Sequence, residues 1–266
     1  MHEGLGRVLA IGGSDSGGGA GIQADIKTIT ALGGYAATAV TAVTVQDTLS
    51  VYAIHPLPPA IIAGQIRAVL ADIGADAVKI GMLGEGKAAA AVVEVLAEWP
   101  DLPLVVDPVM IAKAGAPLLA GAAMTPLRSL IARAALVTPN APEAEILTGR
   151  PVSTLEDQCS VGQVLLETGA KAVLMKGGHI PGDRVVDLLI TPGGEARFEG
   201  ERLDTRHTHG TGCTLASACA AGLAQGLPLE EAVARAFAYT AEAIRRAPGF
   251  GAGAGPLDHG WRGRKA

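Results

Sequence analysis

Gly-Thr-Gly-Cys at positions 210–213 opens a stretch with no acidic or basic side chain between Gly210 and Leu227. Successive backbone N–H groups at a helix start form an anion seat, and glycines let a phosphoryl group come close. Neutral surroundings leave that partial positive charge unscreened. A cysteine in the first turn should lose its proton more readily, because the helix dipole favours thiolate. Gly210, Thr211 and Gly212 are therefore expected to form the seat, with Cys213 as its reactive group. A lone cysteine is ordinarily a small buried hydrophobe, and Cys159 and Cys219 are read that way.

Other motifs carry oxygen donors and a lysine. "GGSDSGGGAGIQAD" (12–25) is a candidate phosphate or ligand loop. It has no Gly-Lys-Ser/Thr, and no acidic strand end lies about 20 residues on, so it is neither a Walker loop nor a dinucleotide fingerprint. Its glycines fit a packing turn equally well; Ser14, Asp15 and Asp25 favour a ligand wall. "TPNAPEAE" (138–145) offers Asn140 and Glu143, which suit a hydrated Mg²⁺ and suit a helix cap with an acidic first turn as well. "VVDPVM" puts Asp107 at a strand exit, placed for a metal or a hydroxyl. The amide of Gln46, in "TVQDT", can donate and accept along a heterocycle edge or bond to a turn backbone. Lys176 ends an apolar strand, where a charge is costly unless paired or ligated. "HTH" would put His207 and His209 on one strand face without a third ligand, which argues against a metal site.

These motifs need elements to hold them at one place. Aliphatic runs predict strands near 7–11, 36–44, 77–80, 104–107, 135–137, 172–175, 184–190 and 196–199. Helical patterns lie at 21–31, 59–73, 87–98, 126–132, 141–147, 155–167, 211–225 and 229–246. The alternation predicts a mostly parallel sheet between helices, and "RVVDLLITPGGEARFEG" reads as a hairpin. Ligands of such sheets sit outside the carboxyl ends of the strands. Six polar or glycine-rich strand exits, including "KIGMLG" and "LMKGGH", imply an elongated cleft there. No linker, charge block or repeat divides residues 1–266, so one domain is expected.

Composition narrows the class. Hydrophobic residues make up 49%, aromatics only 3%, with 36 glycines, which suits close helix–sheet packing better than an aromatic sandwich. The net charge of −5 argues against nucleic-acid binding. Three cysteines without paired spacing suggest no disulfide framework. No leader pattern opens the chain, and no apolar run reaches membrane-spanning length. A cytoplasmic protein without membrane contact is the expectation.

Together, "IGGSDSGGGAGIQAD", "TAVTVQDT", "KIGMLG", "VVDPVMIAKAG", "TPNAPEAEILTG", "MKGGH" and "HGTGCTLASA" resemble the ribokinase-like superfamily. Within it, they resemble the hydroxymethylpyrimidine/phosphomethylpyrimidine kinases of thiamine biosynthesis. The resemblance covers nearly the whole chain and implies a three-layer α/β/α ribokinase-like fold that uses ATP and Mg²⁺ as a homodimer. The reaction it implies is phosphorylation of 4-amino-5-hydroxymethyl-2-methylpyrimidine to the monophosphate and then to the diphosphate. It implies that Gln46 holds the pyrimidine, with Gly13 and Met82 lining the same pocket and Asp25 in the adjoining loop. Asn140 and Glu143 match an element near Mg²⁺ and phosphate, with Asp107 a further metal candidate, and Lys176 matches a nucleotide-side lysine. Gly210, Thr211 and Gly212 match the anion hole, and Cys213 stands at the catalytic-base position. Asp47 and His207 depart from the common asparagines at their positions, and Asp47 bears on pocket polarity. The cysteine-type pyridoxal kinases share these motifs but carry a second cysteine where this chain has Ala112, which favours the pyrimidine. A noncatalytic binder on the same fold could lose the Gly-Thr-Gly-Cys seat, which is intact here.

Overall fold

Short aliphatic strands separated by helical patterns must be covered on both faces, and the chain does this with one sheet and two helical layers. The computed structural model describes residues 5–110, 118 and 121–263. The strands are β1 (Arg7–Ser14), β2 (Tyr35–Gln46), β3 (Val51–Pro56), β4 (Ala77–Ile80), β5 (Leu104–Val106), β6 (Leu136–Val137), β7 (Val173–Met175), β8 (Arg184–Thr191) and β9 (Gly194–Glu201). They form one sheet in the order β3-β2-β1-β4-β5-β6-β7-β8-β9. β2, β1, β4, β5, β6 and β7 pair in parallel; β3, β8 and β9 join antiparallel at the two edges.

The helices are α1 (Gly21–Ala31), α2 (Pro59–Asp72), α3 (Gly86–Leu96), α4 (Met124–Ala132), α5 (Ala141–Thr148), α6 (Leu155–Leu166), α7 (Thr211–Ala224) and α8 (Leu229–Arg245). Side chains alternate along each strand, so the core divides in two. Leu9, Ile11, Val78, Ile80, Leu104 and Val106 face one layer with α2 to α6. Val8, Val105, Leu136 and Leu174 face the other, with α1, α7 and α8.

The structure explains why α7 carries no charge. It packs against α1, α8 and the central strands β1, β4 and β5, and every residue from Thr214 to Gly222 is buried. A helix apolar all round is a core helix. Neutrality therefore follows first from this central position, and the unscreened amino end is its consequence.

One edge of the sheet differs from the sequence reading. β3 was not expected, because "VYAIHP" lacks clean alternation and ends in proline; it forms by antiparallel pairing to the far half of β2, a long-range contact. The expected hairpin is present as β8 and β9, pairing from Arg184↔Glu201 to Thr191↔Gly194. Among the described residues no helix is long and apolar enough to cross a membrane.

After β1 the chain turns towards β2, and after β3 it returns to place β4 on β1's other side. The loops leaving β1 and β4 thus diverge, opening a crevice at the switch point.

Candidate active site

A cavity of about 660 Å³ lies over the carboxyl ends of the strands. Gly13, Gln46, Met82, Asp107, Asn140, Glu143, Lys176, Gly210, Thr211, Gly212 and Cys213 all line it. Asp25 does not. Expected on the substrate wall, it is fully buried, with Lys79 Nζ at 2.8 Å and Ser217 Oγ at 2.7 Å from its Oδ1. Its position one turn into α1 turns the side chain inward beneath the cavity, a direction set by helix packing.

At one end, the loop after β1 is organised by Asp15. Its Oδ1 accepts from Gly17 N at 2.8 Å, and its Oδ2 from Gly19 N at 3.0 Å and Ala20 N at 2.8 Å. Against the opposing effect of burial, the His209 ring first, and then the Ala20 and Gly17 N–H groups, hold its carboxyl below the usual aspartate range. His209 Nε2 lies 2.9 Å from Asp15 Oδ2 and 3.2 Å from Gln46 Nε2. The Gln46 amide oxygen accepts from Thr44 Oγ1 at 3.2 Å. Gly13 gives Met82 its place: a Cβ there would lie 2.3 Å from the Met82 methyl. Asp47 faces away from this pocket, accepting from Leu49 N, Ser50 N and Tyr52 Oη in the turn before β3, so it does not set the pocket's polarity.

The anion seat occupies the middle. Gly210 has φ +86° at the cap of α7, and no side chain caps the helix. A Cβ on Gly210 would sit 1.8 Å from the Gly19 carbonyl oxygen, so only glycine lets the loop after β1 close on the helix start. At Gly212 a Cβ would lie 3.2 Å from Lys176 Nζ and 3.4 Å from Asp107 Oδ2. The missing side chain leaves an open approach between uncapped N–H groups and an ammonium.

Cys213 departs from expectation. It is partly accessible from the cavity, but burial pushes its thiol up to about 11, with Lys79 and the Gly21 N–H pulling down and Asp25 and Asp107 pushing up. Loss of water around the sulfur outweighs the helix dipole that the sequence brings to mind.

Beside the seat, Lys176 donates to Asp107 Oδ1 at 2.8 Å and lies 3.8 Å from Glu143 Oε2. Asn140 and Glu143 form a reciprocal capping box on α5, Asn140 Oδ1 accepting from Glu143 N and Glu143 Oε2 from Asn140 N, each at 2.9 Å. The helix-cap reading is therefore realised, and it leaves the carboxyl facing the cavity. Burial pushes Glu143 up to about 7, with Lys176 opposing. Among the described residues no three His, Cys, Asp or Glu side chains form a metal cage. Glu143 and Asp107 instead fit a cation held mainly by waters and phosphate oxygens.

The far end of the cavity lies between Val185, Leu203, Phe237, Ala241 and Ile244, an apolar slot made by α8 and the β8–β9 edge. Sequence reasoning did not find it, since these residues read only as strand and helix faces. Asp187, also in the lining, accepts from Gly177 N at 2.8 Å, and burial pushes it up to about 6. His209, expected on a strand face, sits in an irregular turn, bridged to Pro256. Lys79, too, carries in the sequence the signal that marks Lys176, a charge inside an aliphatic strand, and it borders the cavity. Ala112 lies outside the described residues.

An open parallel sheet with its cleft at the switch point and an uncapped helix start beside a lysine defines a ribokinase-like small-molecule kinase. A sequence profile of the phosphomethylpyrimidine kinase family matches residues 15–258, and the chain belongs to that family. It is 44% identical over 255 residues to the hydroxymethylpyrimidine/phosphomethylpyrimidine kinase of Bacillus subtilis, covering 95% of this chain and 94% of that one. It is 49% identical to the thiamine biosynthesis bifunctional protein ThiED of Geobacter sulfurreducens, covering 96% of this chain but spanning about half, 52%, of that longer protein. Among solved structures, the phosphomethylpyrimidine kinase of Clostridium difficile superposes with TM-score 0.80 at 43% identity, over 90% of this chain and 99% of that one. An ADP complex of Bacillus subtilis pyridoxal kinase superposes with TM-score 0.89 at 32% identity, over 96% and 97%.

Glutamine also satisfies a capping box at this position, so Glu143→Gln separates the two jobs of Glu143. The variant should keep its thermal unfolding midpoint and need more Mg²⁺ for half-maximal turnover. In the native protein that Mg²⁺ requirement should rise as pH falls through about 7, because proton and cation compete for one carboxylate. In the variant this pH dependence should vanish. A Mg²⁺ titration at acidic and alkaline pH on both proteins checks it.

Proposed function

We propose that the chain transfers the terminal phosphoryl group of ATP to 4-amino-5-hydroxymethyl-2-methylpyrimidine, and then a second one to the resulting monophosphate, in thiamine biosynthesis. The observation that carries this is the continuous cavity, with Gln46, Gly13 and Met82 at one end, the Gly210–Cys213 helix start in the middle and an apolar slot beyond. Family membership and the kinase names of its relatives support the same reading.

In this assignment Gln46 orients the pyrimidine by its amide, with Gly13 and Met82 against the ring. The N–H groups at the start of α7 take up charge developing on the moving phosphoryl group, and Lys176 does so from the side. Mg²⁺, when bound, neutralises phosphate charge and fixes phosphate geometry. Asn140 shapes the loop that presents Glu143. Cys213 removes the proton of the acceptor alcohol. The apolar slot receives the nucleotide base. The likeness to pyridoxal kinase keeps pyridoxal as the second acceptor to test. Turnover of ATP with the pyrimidine alcohol, its monophosphate and pyridoxal, compared side by side, tests the reading; preference for pyridoxal would overturn it.

We further assign one domain, a cytoplasmic location and a homodimer. The free state of all three cysteines agrees with a reducing compartment. The β2–β3 extension leaves Val43, Val45, Tyr52 and Ile54 exposed, an apolar edge of the kind that subunit contacts cover. Val45→Asp should shift the particle to half the mass by light scattering, while a native protein that is already monomeric would refute the dimer.

Gln46→Leu keeps the size of the side chain but leaves ligand polar groups unpaired, each costing about 1–3 kcal/mol. Calorimetry should show at least tenfold weaker binding of the pyrimidine; unchanged affinity would remove Gln46 from the site.

The two acceptors differ in acidity, and that difference isolates Cys213. A primary alcohol is protonated at neutral pH and gains about 10²–10⁴-fold from a positioned base. A phosphate monoester has a second pKa of about 6 and is already largely ionised. Cys213→Ala should therefore cripple the first step and spare most of the second, since alanine preserves the helix. The sign with pH follows from the raised thiol: native alcohol phosphorylation should climb from neutral towards alkaline pH as thiolate forms. That slope should be absent in Cys213→Ala and in the monophosphate step. Single-turnover rates on both proteins measure it, and equal losses in the two steps would remove the base assignment.

A further inference from the structure

β4 sends one charged side chain into the core. Val78 and Ile80 face the α2–α6 layer, so Lys79 between them must face α1 and α7, and it does so with no exposed surface. Its ammonium donates to Asp25 Oδ1 at 2.8 Å, and Ser217 Oγ donates to the same oxygen at 2.7 Å. Asp25 Oδ2 is buried without a hydrogen-bond partner. Apolar residues of similar volume commonly replace such a pair with no loss of stability, so stability alone does not account for it.

The pair is oriented. Lys79 borders the cavity from beneath its surface, whereas Asp25 does not reach it. Ser217 follows Cys213 by one turn on α7, on the same helical face, so the pair lies beneath the turn that carries the thiol. Gly81 keeps room for the ammonium, since a Cβ there would be 2.9 Å from Lys79 Nζ. The charged groups acting on the sulfur come from four elements: Lys79 on β4, Asp25 on α1, Asp107 at the exit of β5 and Lys176 at the exit of β7. Among them Lys79 is the strongest influence favouring thiolate and outweighs Asp25. Lys79 itself is held protonated, chiefly by Asp25, against the effect of burial.

We propose that Lys79 and Asp25 are positioning residues for phosphoryl transfer: the aspartate keeps a lysine charged inside the core, and the lysine stabilises negative charge on the sulfur of Cys213. This rests on Cys213 being the base and adds what makes a buried thiol usable as one. The proton leaves the acceptor hydroxyl for sulfur as the new oxygen–phosphorus bond forms, and Lys79 stabilises the thiolate that must exist beforehand.

The test reads the thiol directly, by the pH profile of iodoacetamide alkylation at Cys213, resolved from Cys159 and Cys219 by peptide mass spectrometry. Lys79→Met should slow alkylation at mildly alkaline pH by about tenfold or more, as expected for loss of a close opposite charge. Because that variant strands a buried carboxylate, Lys79→Met with Asp25→Asn is the companion. It should regain the thermal unfolding midpoint without regaining native alkylation, and it should phosphorylate the alcohol at least tenfold more slowly while losing less in the monophosphate step. Native alkylation in the double variant would overturn the proposal. If Cys213→Ala lost both steps equally, the base assignment would fail, and the alkylation profile, which needs no turnover, would still decide what Lys79 does to the sulfur.

Discussion

The first N–H groups of an α-helix have no partner within it, and α7 begins in the middle of the protein without a capping side chain. That constraint organises the rest of the site. A buried helix start is tolerable when an anion, water or a neighbouring chain segment accepts from it. Here the loop after β1 closes on Gly210 from one side, while Lys176 and Asp107 stand across Gly212 from the other. In the space left between them, backbone donors and an ammonium converge.

The charges around that point are balanced in advance. Lys79 is matched by Asp25, and Lys176 by Asp107 with Glu143 nearby. A low-dielectric interior makes each of these interactions strong and each unpaired group costly. Burial accordingly raises the carboxyl of Glu143 and the thiol of Cys213 together. The Glu143 carboxyl is thereby held near a change of protonation state at neutral pH, which an incoming cation can tip, whereas the Cys213 thiol stays protonated until strongly alkaline pH. Water-accessible groups at the same spacing would be screened and would respond far less.

The two ends of the cavity are built by different means. The end at Gln46 depends on close backbone approach, with Gly13 against Met82 and Asp15 tying the turn to His209. The opposite end is an apolar wall contributed by α8 and the antiparallel edge of the sheet. Parallel strands between them bring both to the same edge, because every parallel strand exits in the same direction.

Much was legible in the sequence for physical reasons. Aliphatic runs with helical patterns between them specify a covered parallel sheet, and among the described residues all eight α-helices and eight of the nine strands follow local periodicity. Glycines at 210 and 212 marked close approach, and polar residues at strand exits marked the cleft. Only tertiary structure could decide the rest. β3 exists because β2 offers it an edge. Asp25 turned out to be a buried counter-ion, since the direction of a side chain on α1 depends on what packs against that helix. The acidity of Cys213 ran opposite to the local expectation, because helix position is a local property whereas desolvation is imposed by everything that surrounds the sulfur.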